Sequence, residues 1–284
     1  MKALVTGSHG FLGSHLVKAL SIRKWEVIPL KRELLYSPNE LKIFCEEIRP
    51  DYIFHLAAYG NMSGQQDIPL IVLSNILGTF NLLQACNDIS YKGFINFGSS
   101  SEYGYKKDPM VETDIPEATT FYGVSKIAAT YLAKAFSKQF TKPIVTVRPF
   151  SVYGPGEAPF RFIPTLISYL GKGNYMDFDL QGKHDWIYIS DIIKGVLTVA
   201  DNINSLFGQV VNIGTGIQST NTQVQNLLEK ISEKTLNINY FQHMRPDDSP
   251  VWVDGSKKLR LYGWKPKVSL EEGLRKCYEY YRTK

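Results

Sequence analysis

Cysteine is scarce in this chain of 284 residues: Cys45, Cys86 and Cys277 are odd in number and far apart. That spacing argues against both a disulfide framework and a zinc site, so a metal-free chain in a reducing, cytoplasmic compartment is expected. Long apolar runs are lacking as well; no stretch reads as a membrane span, and a strand at Lys2–Thr6 leaves no leader expected ahead of it. There is no basic run or aromatic–basic module of the kind that grips nucleic acid, and the net charge of +5 suits a small acidic partner such as a phosphate ester. Internal repeats and low-complexity stretches are absent too. What remains, 44% hydrophobic and 21% charged residues, is the composition of a globule that can bury its own core.

The apolar pattern alternates between strand and helix periods. Strands are expected at Lys2–Thr6, Trp25–Leu30, Tyr52–Ala58, Gly93–Phe97 and Pro143–Pro149, with helices from about Phe11 to Leu20, Pro38 to Arg49, Pro69 to Asn87 and Phe121 to Phe140. Such alternation predicts a doubly wound parallel α/β sheet over residues 1–150. From Ser151 the rhythm changes. Residues 151–284 read as a smaller, mixed α/β region covering a substrate, with 171–182 irregular and a strand and helix near 186–201 returning to the main sheet.

Gly7, Gly10 and Gly13 join the first strand to the first helix. Glycines there let the backbone turn sharply and approach a pyrophosphate at the helix N-terminus, which predicts dinucleotide binding by Gly7, Gly10, Phe11, Leu12 and Gly13, with His9 placed to touch a phosphate. The second strand ends in Lys31-Arg32, where an acidic residue would accept hydrogen bonds from an adenosine ribose. A basic pair at that point suits a 2′-phosphate, so NADP(H) is preferred, with NAD(H) as the alternative. His55, inside an apolar strand, reads as a packed core histidine.

Tyr122 and Lys126 are four residues apart on one predicted helix and therefore share a face. An ammonium beside a phenol favours the phenolate, so Tyr122 is expected to have a lowered pKa and to act as an acid or base. About twenty residues earlier lies the hydroxyl-rich strand end Gly98-Ser99-Ser100-Ser101.

Taken with Thr6-Gly7-Ser8-His9-Gly10-Phe11-Leu12-Gly13, His55-Leu56-Ala57-Ala58, Ser99-Ser100-Ser101-Glu102-Tyr103-Gly104, Arg148-Pro149, Tyr153-Gly154-Pro155-Gly156, Asn212-Ile213-Gly214-Thr215-Gly216 and Gly263-Trp264-Lys265-Pro266, these residues resemble the extended short-chain dehydrogenase/reductases that modify nucleotide sugars, the epimerase/dehydratase family. The resemblance spans nearly the whole chain. It implies a Rossmann sheet, cofactor contacts from Leu56, Ala57 and Ala58, and a catalytic set of Ser99, Tyr122 and Lys126. In that set Ser99 bonds the sugar oxygen, Tyr122 exchanges its proton, and Lys126 holds the nicotinamide ribose.

It also implies substrate contacts from Ser99, Ser100, Ser101, Ser151, Arg161 and Arg245, the last as a clamp on the diphosphate. Members that remove water across C5 and C6 carry acidic residues where Ser100 and Ser101 stand, and Glu102, one position late, reads as a loop carboxylate. Dehydration is therefore disfavoured. Two readings remain: reduction of a nucleotide-linked 4-keto-6-deoxy sugar by NADPH, ranked first because of Lys31-Arg32, and 4-epimerisation of a nucleotide sugar. A cofactor-binding regulator without turnover ranks below both. Ser151 and His184 stand where the family more often has Asn and Arg, which leaves the sugar and nucleotide open. Helices at Ile71–Asn87 and Tyr122–Phe140 resemble those that build a four-helix homodimer interface.

Overall fold

The computed structural model describes residues 1–62, 64–173, 175–179, 182–241 and 249–283. Its strands, in chain order, are β1 Lys2–Thr6, β2 Glu26–Leu30, β3 Tyr52–His55, β4 Gly93–Phe97, β5 Ile144–Pro149, β6 Ser151–Tyr153, β7 Tyr175–Asp179, β8 Lys183–Tyr188, β9 Val210–Ile213, β10 Gln218–Thr220 and β11 Asn237–Phe241. Six of them form a parallel sheet in the order β2-β1-β3-β4-β5-β9. Every residue of β3, β4 and β5 is buried, as expected of strands covered on both faces. At the rim β2 is half exposed and contains Pro29, which has no N–H to offer a further strand.

Helices cover both faces. Phe11–Ile22 and Ile189–Asp201 lie over one core, through Leu16, Leu20, Ile192 and Val196. Pro38–Ile48, the stretch Ile68–Ala85 and Phe121–Phe140 close the other, through Leu41, Leu82 and Ala133. The order of the sheet reverses between β1 and β3, which opens a crevice beyond the carboxyl ends of these two strands.

Three expectations for the second half are corrected. β8 does not return to the main sheet: it sits between β10 and β6 in a separate three-stranded sheet, and only the helix Ile189–Asp201 comes back. β9, read as part of the substrate-covering region, is the sixth strand of the main sheet beside β5. Residues 171–182 are not wholly irregular, because β7 pairs in parallel with β11. In each case pairing with a strand distant in sequence decides the outcome, and local pattern carries no signal of that.

Ile68–Ala85 is also long and apolar enough, by length and composition, to cross a membrane, contrary to the expectation that no stretch would be. Here it packs on Pro38–Ile48 and Phe121–Phe140. Its middle, Val72–Leu77, is wound as a π-helix that buries Ser74 and Asn75.

Candidate active site

The glycine turn is shaped by backbone meeting backbone. Gly7 adopts φ +64°, and a Cβ there would stand 2.9 Å from the Ala57 nitrogen. A Cβ on Gly13 would come within 2.8 Å of the Gly7 carbonyl carbon. Only glycine lets the first turn of the helix close onto the loop in this way. Gly10 caps that helix without a side-chain hydrogen bond, and no acidic residue occupies its first turn. The N-terminal N–H groups therefore face outward with their partial positive charge, and the residues fit a dinucleotide pyrophosphate. Phe11 and Leu12 are half-buried there; His9 is exposed and paired with its neighbour, Ser8 Oγ to His9 Nδ1 at 3.1 Å. Lys31 and Arg32 are exposed at the end of β2.

The loop after β3 links this turn to Tyr122. Leu56, Ala57 and Ala58 run half-buried past Gly7, and a Cβ on Gly60 would lie 3.6 Å from Tyr122 Cδ2. From the other side Gly123 brings the helix close to the serine motif: a Cβ there would be 2.7 Å from the Ser101 carbonyl oxygen. Thr120 caps the helix by accepting from the Gly123 N–H at 3.1 Å. The Ser99 side chain faces the Tyr122 phenol and pulls its pKa down. Ser99 Oγ also accepts from the Ser101 N–H at 3.1 Å; Ser100 is buried and Ser101 half-buried beside it.

Electrostatics in the site run against one expectation. Burial pushes the Tyr122 phenol up to about 12, against the pull of the Ser99 side chain and the Arg161 guanidinium and with a smaller push from Glu102. Lys126 is not among the groups that act on it. Lys126 itself is buried, 4% exposed, and desolvation lowers it to about 8, with Glu102 opposing. The cation that pulls the phenol down is thus Arg161, the residue before the helix Phe162–Tyr169, which lies 3.9 Å from Glu157.

A polar chain braces these groups from behind. His55 Nδ1 lies 2.9 Å from Thr6 Oγ1, and His55 Nε2 lies 2.9 Å from Thr79 Oγ1. Because the Thr79 hydroxyl donates to the Asn75 carbonyl, it accepts from Nε2–H, which leaves Nδ1 to accept from Thr6. Burial lowers His55 to about 3, so it is a neutral core histidine, as the sequence suggested. Asn75 holds the Tyr59 backbone at both ends and donates to Ser125 Oγ at 2.9 Å; Ser125 in turn donates to the Tyr122 carbonyl. The sequence reading assigns Asn75 and Thr79 no role. The signal available was a run of uncharged polar residues on a helix otherwise apolar enough to need none.

Glu102 is a further miss. It is fully buried, 0% exposed, and bonded to Arg148 at 2.7 Å, so it is no solvated loop carboxylate. Arg148 offered the clue: a lone cation in an otherwise uncharged strand needs a buried partner. Of the other substrate candidates, Ser151 Oγ meets His184 Nδ1 at 3.2 Å, so the two departures from the family pattern are in contact with each other, beside Trp186 and Trp252. Arg245 lies outside the described residues. Among the described residues no group of His, Cys, Asp or Glu is arranged to hold a metal, and the three cysteines are free and buried.

Residues 3–214 match the model of the NAD dependent epimerase/dehydratase family. The chain belongs to this family. A Bacillus subtilis (strain 168) member, named an uncharacterized UDP-glucose epimerase YtcB, is 31% identical over 96% of both chains. A UDP-glucuronate 4-epimerase of Thermodesulfobacterium geofontis is 30% identical over 96% of this chain and 94% of its own. Among solved epimerase/dehydratase structures, a variant of the Bacillus cereus UDP-glucuronic acid 4-epimerase, in complex with UDP-4-deoxy-4-fluoro-glucuronic acid and NAD, superposes with a TM-score of 0.91. It is 30% identical, and the match covers 100% of this chain and 99% of that one. The Rossmann architecture expected from the sequence is thus that of the family.

Proposed function

We propose that this protein is a nucleotide-sugar 4-epimerase that works with a bound nicotinamide dinucleotide. The observation that carries the reading is the placing of the Tyr122 phenol against the Ser99 turn: a Cβ on Gly123, its neighbour, would be 2.7 Å from the Ser101 carbonyl oxygen, and Ser99 acts on the phenol. Ser100 and Ser101 offer no carboxylate for dehydration, and Glu102 is committed to Arg148. One pair serves one hydroxyl. Ser99 holds the C4 oxygen, the ionised form of Tyr122 takes its proton as the ketone forms, and Tyr122 returns that proton after the sugar has turned over. The dinucleotide, when bound, supplies the acceptor and donor of hydride at C4. Lys126 orients the nicotinamide ribose, the turn Gly7–Gly13 carries the pyrophosphate, and Arg161 stabilises negative charge as it develops on the phenol.

The relatives named above are epimerases, and the solved one carries NAD. The order expected from the sequence, reductase before epimerase and NADP(H) before NAD(H), is therefore reversed. A second reading, an NADPH-dependent 4-keto reductase, keeps one observation in its favour: Lys31 and Arg32 stand exposed at the end of β2. NMR of purified protein with UDP-glucuronate, UDP-glucose or their C4 epimers and no added reductant distinguishes the two. Appearance of the opposite C4 configuration supports the epimerase. Stoichiometric loss of NADPH on nucleotide 4-keto sugars, with no epimer from any of the four, supports the reductase.

The active form is proposed to be a homodimer. Val72, Leu77 and Phe80 on one helix and Phe121, Val124 and Tyr131 on its neighbour are exposed, an apolar face suited to a second copy. Sedimentation at micromolar concentration should give the dimer mass, and a monomer there would remove the proposal.

A further inference from the structure

The strand end that carries Ser99 is anchored by a charge. The Ser99 N–H donates to Glu102 Oε1 at 2.8 Å, and Arg148 Nε and Nη2 donate to Glu102 Oε2 at 2.9 and 2.7 Å. Arg148 is itself buried, from β5, with its guanidinium 4.6 Å over the ring of Tyr103. The motif is built around this carboxylate: a Cβ on Gly98 would fall on Glu102 Oε1, so the glycine keeps the space the acid fills.

We propose that Glu102 is a positioning residue for the Ser99–Tyr122–Lys126 site, fixing the Ser99 backbone through its buried carboxylate and setting a negative charge beneath the phenol and the ammonium. It deepens the epimerase reading and rests on it for its role in turnover. Glu102 does not touch the sugar; it acts through its neighbours. The groups that face it are the Arg148 guanidinium from β5, the Ser99 N–H from its own turn and the Thr130 hydroxyl from the helix Phe121–Phe140. Tyr122 is faced by Ser99, Glu102 and Arg161, and Lys126 by Glu102 and by neutral His55.

Two effects follow, and both have a fixed sign. The carboxylate adds to burial, the larger cause, in opposing ionisation of Tyr122. It also favours the charged form of Lys126, against the desolvation that lowers it. A guanidinium is charged at every working pH, and the pairing with it holds Glu102 ionised in spite of its burial.

The test is Glu102→Gln, which keeps an oxygen to accept from the Ser99 N–H and removes the charge. With fluorotyrosine incorporated and the Tyr122 resonance assigned by its loss in Tyr122→Phe, the Tyr122 titration midpoint should fall by roughly one pH unit relative to the parent. The acid limb of kcat/KM against pH should move down with it. Titration needs neither sugar nor dinucleotide, so failure of the epimerase reading would leave the first readout standing. A natively folded Glu102→Gln whose Tyr122 midpoint is unmoved overturns the proposal and leaves Glu102 a purely structural brace. Should Arg148, left without its partner, prevent folding, Glu102→Gln with Arg148→Met removes both charges. With the opposing Arg148 charge gone as well, the downward shift is expected to be smaller, and an unchanged midpoint in a folded Glu102→Gln single variant remains the decisive result.

Discussion

Around the turn Gly7–Gly13 the chain is fitted together by leaving side chains out, whereas around β6 and β8 it is fitted by pairing them. In the first region Gly7 meets Ala57 and Gly13 meets Gly7, backbone on backbone, and any Cβ intrudes. In the second, buried Asp185 accepts from the N–H groups of Thr215, Gly216 and Asp254 at 2.8, 2.9 and 3.1 Å, and Ser151 meets His184. A cradle made of backbone takes the unvarying part of a ligand, its pyrophosphate, and leaves no alternative residue. One made of side-chain pairs can exchange both partners together, and on the proposed function the Ser151–His184 contact is where substrate identity would be altered without disturbing the cofactor.

The largest expected effect breaks the comparison at the point where the two regions meet. Tyr122→Phe should lower kcat by roughly 10³-fold with little change in thermal stability, measured by steady-state kinetics and calorimetry. Asp185→Ala, in the side-chain region, should instead cost about 2 kcal/mol of stability, because the buried Asp254 N–H and the part-buried N–H groups of Thr215 and Gly216 lose their acceptor; denaturant unfolding checks it. Gly13→Ala should weaken dinucleotide binding roughly 30-fold, since the intruding methyl must displace main chain, and calorimetric titration reads this directly.

A smaller effect comes from Lys126. Its pKa is lowered to about 8, so the ammonium, and the ribose contact proposed for it, is present below that pH and is lost as pH rises through it. Dinucleotide affinity should fall roughly tenfold between pH 7 and 10 in the parent and stay flat in Lys126→Met. The smallest is Ser151→Ala, expected to raise KM for the nucleotide sugar about fivefold through the lost His184 contact while leaving dinucleotide affinity unchanged. If it weakened both ligands equally, the separation of the two regions would be wrong.

The same contrast explains how much could be read from the residues alone. The glycine turn, the strand–helix alternation through β5 and the Tyr122–Lys126 pair are local patterns, and they were legible. Membership of β9 in the main sheet and the placing of β8 outside it depend on partners far away in the chain, and no local period reports them. The sign of the Tyr122 shift was missed for a related reason: helical spacing puts Lys126 on the right face, but burial, which depends on elements distant in the chain, outweighs every pull on the phenol. Glu102 was misread because its partner Arg148 is 46 residues on. The Ser151–His184 contact joins two residues whose departures from the family pattern were visible singly and whose pairing was not.

The central claim is that one phenol and one hydroxyl, Tyr122 and Ser99, interconvert the two configurations at C4 of a single bound sugar. It is tested most directly with UDP-glucose or UDP-glucuronate carrying deuterium at C4 and no exchangeable reductant. The account predicts that the epimeric product keeps its deuterium at C4, returned to the carbon from which it came, and that Tyr122→Phe forms it roughly 10³-fold more slowly. Product with hydrogen in place of that deuterium, or no epimer from a protein carrying its full complement of dinucleotide, would contradict it.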